Sequence, residues 1–513
     1  MSTVTNNNKR IAKNTILLYI RMLFTMIVSF FTSRVVLQTL GISDYGVYAL
    51  MGSVIGMLGY VNTLLAGGTS RFLTIGLGEN NPAKLKLTFS TTIVLTLFTS
   101  ILVIILGETV GFYFFYNYLN IDPSRMEAAQ WVYQCALLSS VLTIMNSPFT
   151  ASIISHEKMD IYAYMSILDV VMKLLIVYVL MILDYDKLII YSILMFSVNL
   201  LNFLILRTYC IRNFAECAFS LRFDRGTFKK MFAYSGWNMF GSLSALLMDQ
   251  GVSIVINIFF GTIINAAKGV ANQVNNVIRQ LYSNFQLAAR PQIMKYYAQG
   301  KCTEMFELMI NTSRYCAFLL ICIIVPVIVN VEGLLNIWLV ETPEYSVDFI
   351  RLTLLYTLFR AIDEPLTAGI HAVGKMKLPN LTTAIINMMV FPITWLVCKL
   401  GGSPITANII FVIDAPVILL IDLLMLRKFI NFPMRKFINE SVIPVALFFS
   451  LSLLLPIITL LIFPKNTLFT IINSIFSFIY TMLIIYIFAL PKNVRIIVKR
   501  SFIDRASKII KNH

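Results

Sequence analysis

The side chains best suited to chemistry in this sequence are charged residues inside long apolar stretches. A basic side chain at the centre of a bilayer costs about 2.5–3.5 kcal/mol on insertion scales, so such residues usually face a protein interior or mark a site. The basic set is Arg21, Arg34, Lys173, Lys268, Arg279, Arg314, Arg351 and Arg360. The acidic set within or bordering these stretches is Asp169, Asp249, Asp363, Glu364, Asp414 and Asp422.

Helical spacing pairs some of these charges with one another. Residues three or four positions apart are neighbours on the surface of a helix. Asp169 and Lys173 are four residues apart, as are Arg360 and Glu364, and Asp363 follows Arg360 by three. We therefore interpret Asp169 and Lys173 as a mutually neutralised structural pair.

Other basic residues have no carboxylate at these spacings, which makes them better candidates to meet an anionic ligand. These residues are Arg21, Lys268 and Arg279. Guanidinium and ammonium groups bind phosphate oxygens strongly where water is excluded. We assign the candidate residues of a cationic substrate cavity as Arg21, Arg34, Lys268, Arg279, Arg314 and Arg360. The candidate ion-coupling carboxylates are Asp249, Asp363, Glu364 and Asp414.

Motifs for catalysis or metal binding fail in this sequence. Residues 369–376 read GIHAVGKM, which approaches the phosphate-binding loop GxxxxGK[ST], but Met376 replaces the hydroxyl that would hold magnesium. His156 and His371 are isolated, and the seven cysteines show no metal-ligand spacing. We expect no catalytic residue, metal site or cofactor. A proton gradient, a sodium gradient and the membrane potential remain the alternatives for a driving force.

Composition indicates that most of the surface of the chain faces lipid. Of 513 residues, 58% are hydrophobic and 13% are charged. Soluble proteins carry about 25% charged residues, because their surfaces face water. Stretches long enough to cross about 30 Å of hydrocarbon predict an all-α polytopic membrane protein with about fourteen transmembrane helices. The predicted spans are 14–39, 45–66, 87–106, 129–154, 161–183, 188–206, 231–259, 262–289, 305–331, 349–371, 380–398, 405–426, 441–463 and 467–490.

Basic residues are distributed unequally between alternate loops. With these spans, 29 of the 41 Lys and Arg residues fall on the side of the termini and four on the opposite side. Because positive charge between spans marks the cytoplasmic side, we predict that both termini are cytoplasmic. The same rule explains the net charge of +16 without nucleic acid. The longest opposite loops, near 107–128 and 332–348, leave no room for a soluble catalytic domain.

An internal repeat relates the two halves of the chain. Residues 148–159 read PFTASIISHEKM and residues 365–376 read PLTAGIHAVGKM, and six of the twelve positions are identical. A similar offset relates Leu40-Gly41 to Phe260-Gly261. Repeats six spans apart have the same orientation, which predicts two parallel six-helix lobes with a pathway between them. The predicted domains are an N-terminal lobe at 1–220, a second lobe at 221–428, two additional helices at 429–490 and a basic cytoplasmic tail at 491–513.

Short motifs resemble those of a known family. Residues 40–48, LGISDYGVY, follow an arginine-containing first span, and GVANQV at 269–274 and ARPQI at 289–293 occupy matching places in the second half. This pattern resembles the bacterial polysaccharide biosynthesis transporters. These are the O-antigen (Wzx-type) flippases of the multidrug/oligosaccharidyl-lipid/polysaccharide exporter superfamily, whose fold is MATE-like.

The resemblance implies a flippase that moves an undecaprenyl-pyrophosphate-linked oligosaccharide from the cytoplasmic to the periplasmic leaflet by alternating access, for O-antigen or capsule assembly. It also implies a place in the bacterial inner membrane. The implied partners are membrane lipids and the polysaccharide polymerase machinery. An anionic cargo agrees with the residues, since a pyrophosphate needs Arg or Lys in a cavity of low dielectric constant.

Other functions stay open on the sequence. Drug-exporting relatives place an acidic residue in the first span, where this chain has Arg21 and Arg34, yet Asp249 and Asp414 keep a cation-coupled multidrug exporter as an alternative. Flippases of the lipid-linked peptidoglycan precursor share the fold and the basic cavity. A membrane glycan polymerase is disfavoured, because it usually needs a large periplasmic loop.

Overall fold

The computed structural model of the chain is all-helical over the residues that it describes. These are residues 2–59, 69, 72–73, 77, 82–156, 158–183, 185–218, 223–226, 228–229, 244–375, 377–463, 466–490 and 495. No strand occurs in these ranges, and eleven of their helical segments are long and apolar enough to cross a membrane. The predicted fold class, an all-α polytopic membrane protein, is confirmed.

Long helices account for most of the described chain. Helices α1 to α7 are Ser2–Gly59, Pro82–Leu106, Met126–Ser155, Met159–Ile182, Lys187–Asn213, Val252–Ala298 and Cys302–Trp338. Helices α8 to α12 are Ser346–Val373, Lys377–Lys399, Ile405–Ile430, Ile443–Ile462 and Thr467–Ile484. Short helices lie at Phe112–Tyr118 and Met434–Phe437, and π-helical turns lie at Gly107–Gly111, Leu247–Gly251, Ile438–Val442 and Ile485–Ala489.

Polar side chains mark where some of these helices begin. The Asp186 carboxylate accepts hydrogen bonds from the backbone N–H groups of Leu188 and Ile189 at 3.0 and 3.2 Å, at the start of α5. The Asn466 side chain accepts from the N–H of Phe469 at 2.7 Å, at the start of α12. Such caps satisfy backbone donors that have no partner within the first turn of a helix.

Two long helices change direction at a glycine. Gly41 in α1 has φ 79° and ψ 169°, and Gly261 in α6 has φ 80° and ψ −171°. This backbone region is essentially restricted to glycine, so each glycine divides its helix into two arms. The sequence predicts a new span directly after each of these positions. Their nearly identical conformations agree with the predicted correspondence of Leu40-Gly41 with Phe260-Gly261.

The eleven apolar segments do not settle the number of spans. The segments Phe24–Ile55 and Ser244–Ser283 each contain one of the dividing glycines and are counted once. Helix α8 is not among the eleven, and it carries Arg360, Asp363 and Glu364 near its middle. The count of fourteen therefore stays a prediction.

Some helices extend further than the sequence predicted. Helix α2 continues through the π-helical turn to Tyr118, and α7 reaches Trp338. The predictions of loops starting at 107 and at 332 are therefore wrong at their N-terminal ends. An apolar window ends near a charge such as Glu108 or Glu332, whereas a helix continues wherever its backbone hydrogen bonds can form.

By internal contacts the chain divides into two compact units. Unit 1 comprises Met1–Gln273, Leu339–Ser346 and Asn380–Ile410. Unit 2 comprises Val274–Trp338, Val347–Pro379 and Phe411–His513. The predicted domains 1–220, 221–428 and 429–490 stay predictions. Apart from Arg495, the predicted basic tail lies outside the described residues.

Unit 1 contains an apolar core cluster that includes a buried tyrosine. Leu50 of α1, Tyr133 of α3, Leu180 of α4 and Leu188 of α5 are fully buried in one cluster. The Tyr133 hydroxyl donates to the backbone carbonyl of Gly107 at 2.7 Å, so its polar end is also satisfied. Four helices are thereby packed on one core.

Unit 2 combines apolar packing with a buried polar seam. The Asn473 side chain of α12 donates to the side-chain oxygen of Asn330 in α7 at 2.8 Å, and it accepts from the Thr459 hydroxyl of α11 at 2.7 Å. Lipid tails are as apolar as leucine, so hydrogen bonds between helices contribute to helix association in a membrane. This seam holds α7, α11 and α12 together.

Replacing Gly41 by alanine is expected to destabilise the protein by about 1–3 kcal/mol, because alanine strongly disfavours this backbone conformation. No atom lies within 4 Å of an added Cβ, so the effect would come from the backbone alone. The measurement is the thermal unfolding midpoint of the purified protein in detergent. Gly52→Ala is the matched control, since Gly52 lies in the same helix with equally open space. Equal midpoints for the two variants would contradict the prediction.

Candidate functional site

A cluster of charged side chains lies within unit 2, on helices α6, α8 and α10. This charged cluster consists of Arg279, Arg290, Arg360, Asp363, Glu364, Asp414 and Asp422. The three members on α8 share one face of that helix with Thr367, because they are spaced three, four and seven positions apart. The two members on α10 are eight positions apart, a little over two helical turns, and also share a face.

A proline anchors α8 at the level of the charged cluster. Pro365 has no N–H, so the carbonyl of Ala361 loses its helical donor. The Gln286 side chain of α6 donates to this carbonyl at 2.9 Å. The Ser313 hydroxyl of α7 donates to the neighbouring carbonyl of Ile362 at 2.8 Å. Two neighbouring helices of unit 2 therefore donate hydrogen bonds to α8 beside Pro365.

Two ion pairs tie the charged cluster together. Nη1 of Arg360 lies 2.8 Å from Oδ2 of Asp363, three positions further along the same helix. Arg290 of α6 forms an ion pair with Glu364. Helical spacing alone permits an ion pair of Arg360 with either Asp363 or Glu364. In the structure Arg360 donates its hydrogen bond to Asp363. The sequence does not reveal the role of Arg290, because the predicted span ends at residue 289.

The three aspartates of the charged cluster are buried. Asp363 has no exposed surface, and its Oδ1 receives no hydrogen bond from any described residue. The Asp422 carboxyl, which is 4% exposed, lies within hydrogen-bonding reach of Asp363 and accepts from the Thr367 hydroxyl at 3.3 Å. Oδ2 of Asp414 is also buried without a donor among the described residues. Buried carboxylates without donors are costly, so this site has unused binding capacity.

Arg279 is the most available cation of the charged cluster. It is exposed and forms no ion pair or hydrogen bond with any residue that the structure describes. The Tyr282 hydroxyl, one turn further along α6, lies within electrostatic reach of Arg279, Arg360 and Glu364. Arg279 therefore belongs to the neighbourhood of the buried pairs, but its guanidinium is not occupied by them.

Arg314 is held by neutral groups instead of a carboxylate. Its guanidinium donates to the carbonyl of Glu440 at 3.3 Å, to the side chain of Asn311 at 2.7 Å and to the Tyr315 hydroxyl at 3.1 Å. Its Nε is buried without an acceptor among the described residues. Arg314 is thus a partly buried cation of unit 2, and no hydrogen bond or ion pair between described residues joins it to the charged cluster.

Lys268, in unit 1, already has a carboxylate beside it. Its ammonium group is buried, donates to the backbone carbonyl of Asp249 at 3.0 Å and lies 3.8 Å from a carboxylate oxygen of the same residue. Asp249 lies in the π-helical turn Leu247–Gly251, a local feature that is frequent at functional sites. A ligand that binds Lys268 would therefore compete with Asp249. Residue spacing within one helix could not reveal this contact, because Asp249 lies 19 positions away from Lys268.

The remaining predicted residues lie on helices of unit 1. Arg34 is exposed on α1, and Arg21 lies on the same helix with its side chain outside the described part. Asp169 and Lys173 form an ion pair of 2.7 Å, as the sequence predicted, and Asn202 donates to Asp169 at 2.8 Å. Arg34 and Lys268 belong to unit 1, whereas the charged cluster belongs to unit 2.

Two cavities of unit 1 are each lined by one member of this ion pair. One has a volume of about 350 Å³ and includes Asn146, Asp169 and Asn202 among its lining residues. The other has a volume of about 300 Å³ and includes Lys173 and Gln273. Hydroxyl and amide groups are among the lining residues of both.

An ion cluster that the sequence did not predict joins three segments of unit 1. Arg125 hydrogen-bonds to Asp44 at 2.5 and 2.8 Å and to Asp186 at 2.7 and 3.2 Å. Burial alone would raise the pKa of Asp186, but hydrogen bonds from Arg125 and the backbone bring that pKa below its ordinary value. The only signal in the sequence was Asp44 within LGISDYGVY, together with Arg125 and Asp186 on the same predicted side.

Metal binding finds no support in the described part of the chain. No group of three or more His, Cys, Asp or Glu residues there could hold a metal ion. The charged cluster of unit 2 instead offers three guanidinium groups and four carboxyl groups.

Solved structures of membrane transporters share this fold. A lipid II flippase, MurJ, in an inward closed conformation aligns with a TM-score of 0.66 at 14% identity, over 92% of this chain and 99% of that one. An inward-facing multidrug resistance MATE family transporter of the MOP superfamily aligns with a TM-score of 0.62 at 13% identity, over 82% of this chain and 99% of that one.

A third structure, of the MATE multidrug transporter DinF-BH, aligns with a TM-score of 0.57 at 13% identity, over 80% of this chain and 95% of that one. No protein-family model and no curated protein matches the sequence. At such low identity the likeness shows the fold. The MATE-like fold predicted from the sequence is confirmed, and the chain is a multi-pass membrane protein.

Proposed function

We propose that the protein is a flippase of the multidrug/oligosaccharidyl-lipid/polysaccharide exporter superfamily. Its cargo would be an oligosaccharide linked to undecaprenyl pyrophosphate, moved from the cytoplasmic to the periplasmic leaflet by alternating access for O-antigen or capsule assembly. The observation that carries the proposal is Arg279, an exposed cation without an ion pair among the described residues, on a fold shared with transporters.

An anionic cargo follows from the chemistry around Arg279. The charged cluster of unit 2 holds three guanidinium groups, and those of Arg290 and Arg360 are paired with carboxylates. Guanidinium groups bind the oxygens of phosphates in a bidentate manner, and the attraction is strong where water is excluded. A pyrophosphate would therefore bind at Arg279 and compete with the carboxylates for the other two.

Two other classes of cargo are also compatible with this site. Buried Asp363, Asp414 and Asp422 would suit a cationic drug, which favours a cation-coupled multidrug exporter as the second candidate. The flippase among the solved structures carries lipid II by its name, so a peptidoglycan precursor is the nearest anionic alternative. Arg279 favours the anionic cargoes, because a cationic drug gains nothing from it.

We further propose the bacterial inner membrane as the location, with both termini in the cytoplasm. This orientation rests on the unequal distribution of Lys and Arg between alternate loops. The proposed partners are the lipid-linked glycan, the surrounding lipids and the polysaccharide polymerase machinery.

Deletion of the gene is expected to remove surface polysaccharide and leave drug resistance unchanged. The measurement combines glycan staining of cell extracts with growth in the presence of cationic dyes, and expression of the intact gene should restore the glycan. Increased dye sensitivity with normal surface glycan would overturn the proposal in favour of drug export. Loss of viability with accumulated peptidoglycan precursor would overturn it in favour of that cargo.

A further inference from the structure

We propose that the carboxyl groups of Asp363 and Asp422 form a proton-binding site in which they share one proton. Binding of this proton weakens the ion pair between Asp363 and Arg360. The site itself does not depend on the identity of the cargo. Its role in coupling proton movement to transport rests on the proposed function.

The geometry of the two carboxyl groups requires a donor between them. They lie within hydrogen-bonding reach of each other, on facing helices α8 and α10 of unit 2. When both groups are ionised they present only acceptor oxygens, and Oδ1 of Asp363 then has no donor among the described residues. A proton on either carboxyl supplies that donor and removes one of two like charges from the same buried space.

The charged groups around the pair carry fewer positive charges than negative ones when all the carboxyls are ionised. Arg360 provides the cation on α8 and also faces Asp414 of α10. Glu364 adds a further negative charge beside Asp363 and is itself paired with Arg290 of α6. From α7, the Cys316 thiol faces Glu364 and carries no charge when protonated. One guanidinium therefore serves three buried carboxyls, which favours protonation of at least one of them.

A hydroxyl group and a partly exposed guanidinium lie beside the pair and could assist proton exchange. The Thr367 hydroxyl donates to Oδ2 of Asp422 and can reorient as that group gains or loses a proton. The Arg360 side chain is 27% exposed, so it reaches from the buried pair towards accessible space. A proton taken from water changes the charge of the pair from −2 to −1.

Proton uptake has a direct consequence for Arg360. The Nη1 to Oδ2 hydrogen bond, 2.8 Å long, is charge-assisted only while Asp363 is ionised. A proton on Asp363 weakens this bond and makes the guanidinium available to an anion that Arg279 already attracts. Deprotonation restores the pair and expels the anion, which links proton release to cargo release.

Infrared difference spectroscopy on the purified full-length protein in liposomes, without any cargo, tests the site directly. A neutral carboxyl group has a carbonyl stretch that a carboxylate lacks, and exchange into D₂O identifies it. We expect the wild-type protein to lose a band of this kind as the pH is raised, and the variants identify the part of it that belongs to the pair. Asp363→Asn and Asp422→Asn should each abolish it, because the new amide donates to the remaining carboxylate.

Matched controls separate this pair from other acids. Asp414→Asn removes another buried carboxyl of α10, the helix that carries Asp422. Glu344→Gln removes an exposed carboxyl. Both variants should keep the band of the pair. Thr367→Val, which is close in shape to the wild type, should move the loss of the band to higher pH because the carboxylate loses a donor. This variant also keeps the test valid if either asparagine variant fails to fold.

Three results would overturn the proposal. The first is that the wild-type protein shows no neutral carboxyl band that depends on pH. The second is that the band survives in both Asp363→Asn and Asp422→Asn. The third is that sodium chloride removes the band at constant pH and choline chloride does not, which would mean that the pair binds sodium instead of a proton. Since no cargo is present, these outcomes are independent of whether the protein flips a lipid-linked oligosaccharide.

Discussion

Replacing Arg360 by methionine should lower the free energy of unfolding by about 3–5 kcal/mol, the cost of removing one partner from a buried ion pair. The change would leave Asp363 fully buried beside Asp422 and Glu364 without its cation. The loss should be smaller at low pH, where Asp363 can take up a proton and become neutral. Thermal unfolding in detergent across a pH series provides the measurement.

A second substitution distinguishes a lost ion pair from lost packing. In the double variant R360M/D363N the uncompensated charge is absent, so most of the lost stability should return. Arg351→Met is the matched control, because Arg351 lies on the same helix, is exposed and hydrogen-bonds to the carbonyl of Ile328. An equally large loss for Arg351→Met, or no recovery in the double variant, would contradict the account of Arg360.

Replacing Arg279 by alanine should reduce the rate of transport about 10- to 100-fold while leaving stability unchanged. A hydrogen bond to a charged group contributes about 1.5–3 kcal/mol, and about 1.4 kcal/mol corresponds to a factor of ten. Stability should be unaffected because Arg279 has no ion pair among the described residues. The measurement is the recovery of surface polysaccharide in the deletion strain at matched expression of wild type and variant.

Two further variants make the Arg279 result specific. Arg279→Lys keeps the charge but loses the bidentate geometry, so its transport should fall between that of wild type and Arg279→Ala. Lys295→Ala removes an exposed cation of the same helix and should be silent. Full recovery of surface polysaccharide with Arg279→Ala would show that this residue does not bind the cargo.

Local rules predicted those features of the structure that depend on one segment. The Asp169–Lys173 pair follows from a spacing of four, and the conformations of Gly41 and Gly261 accompany the offset seen in the sequence. Long apolar stretches likewise sufficed for the all-helical membrane fold. In each case the physical cause lies within one helix or one turn.

Contacts between segments could not be predicted in this way. Lys268 has no acid at helical spacing, yet the chain brings Asp249 beside it. Arg290 meets Glu364 across two helices, and Asp422 meets Asp363 in the same manner. A spacing of eight between Asp414 and Asp422 was a usable signal for one acidic face, but only packing decides what that face meets.

The proposed cargo is tested most directly by reconstitution of the purified protein into liposomes. An undecaprenyl-pyrophosphate-linked oligosaccharide is placed in the inner leaflet of the liposomes. Its appearance in the outer leaflet is followed with an added lectin that cannot cross the membrane. We expect translocation by the wild-type protein, a rate slower by about 10- to 100-fold with Arg279→Ala, and no effect of Lys295→Ala. Transport of a cationic dye with no movement of the lipid-linked oligosaccharide would contradict the proposal that the protein is a flippase for an anionic glycan carrier.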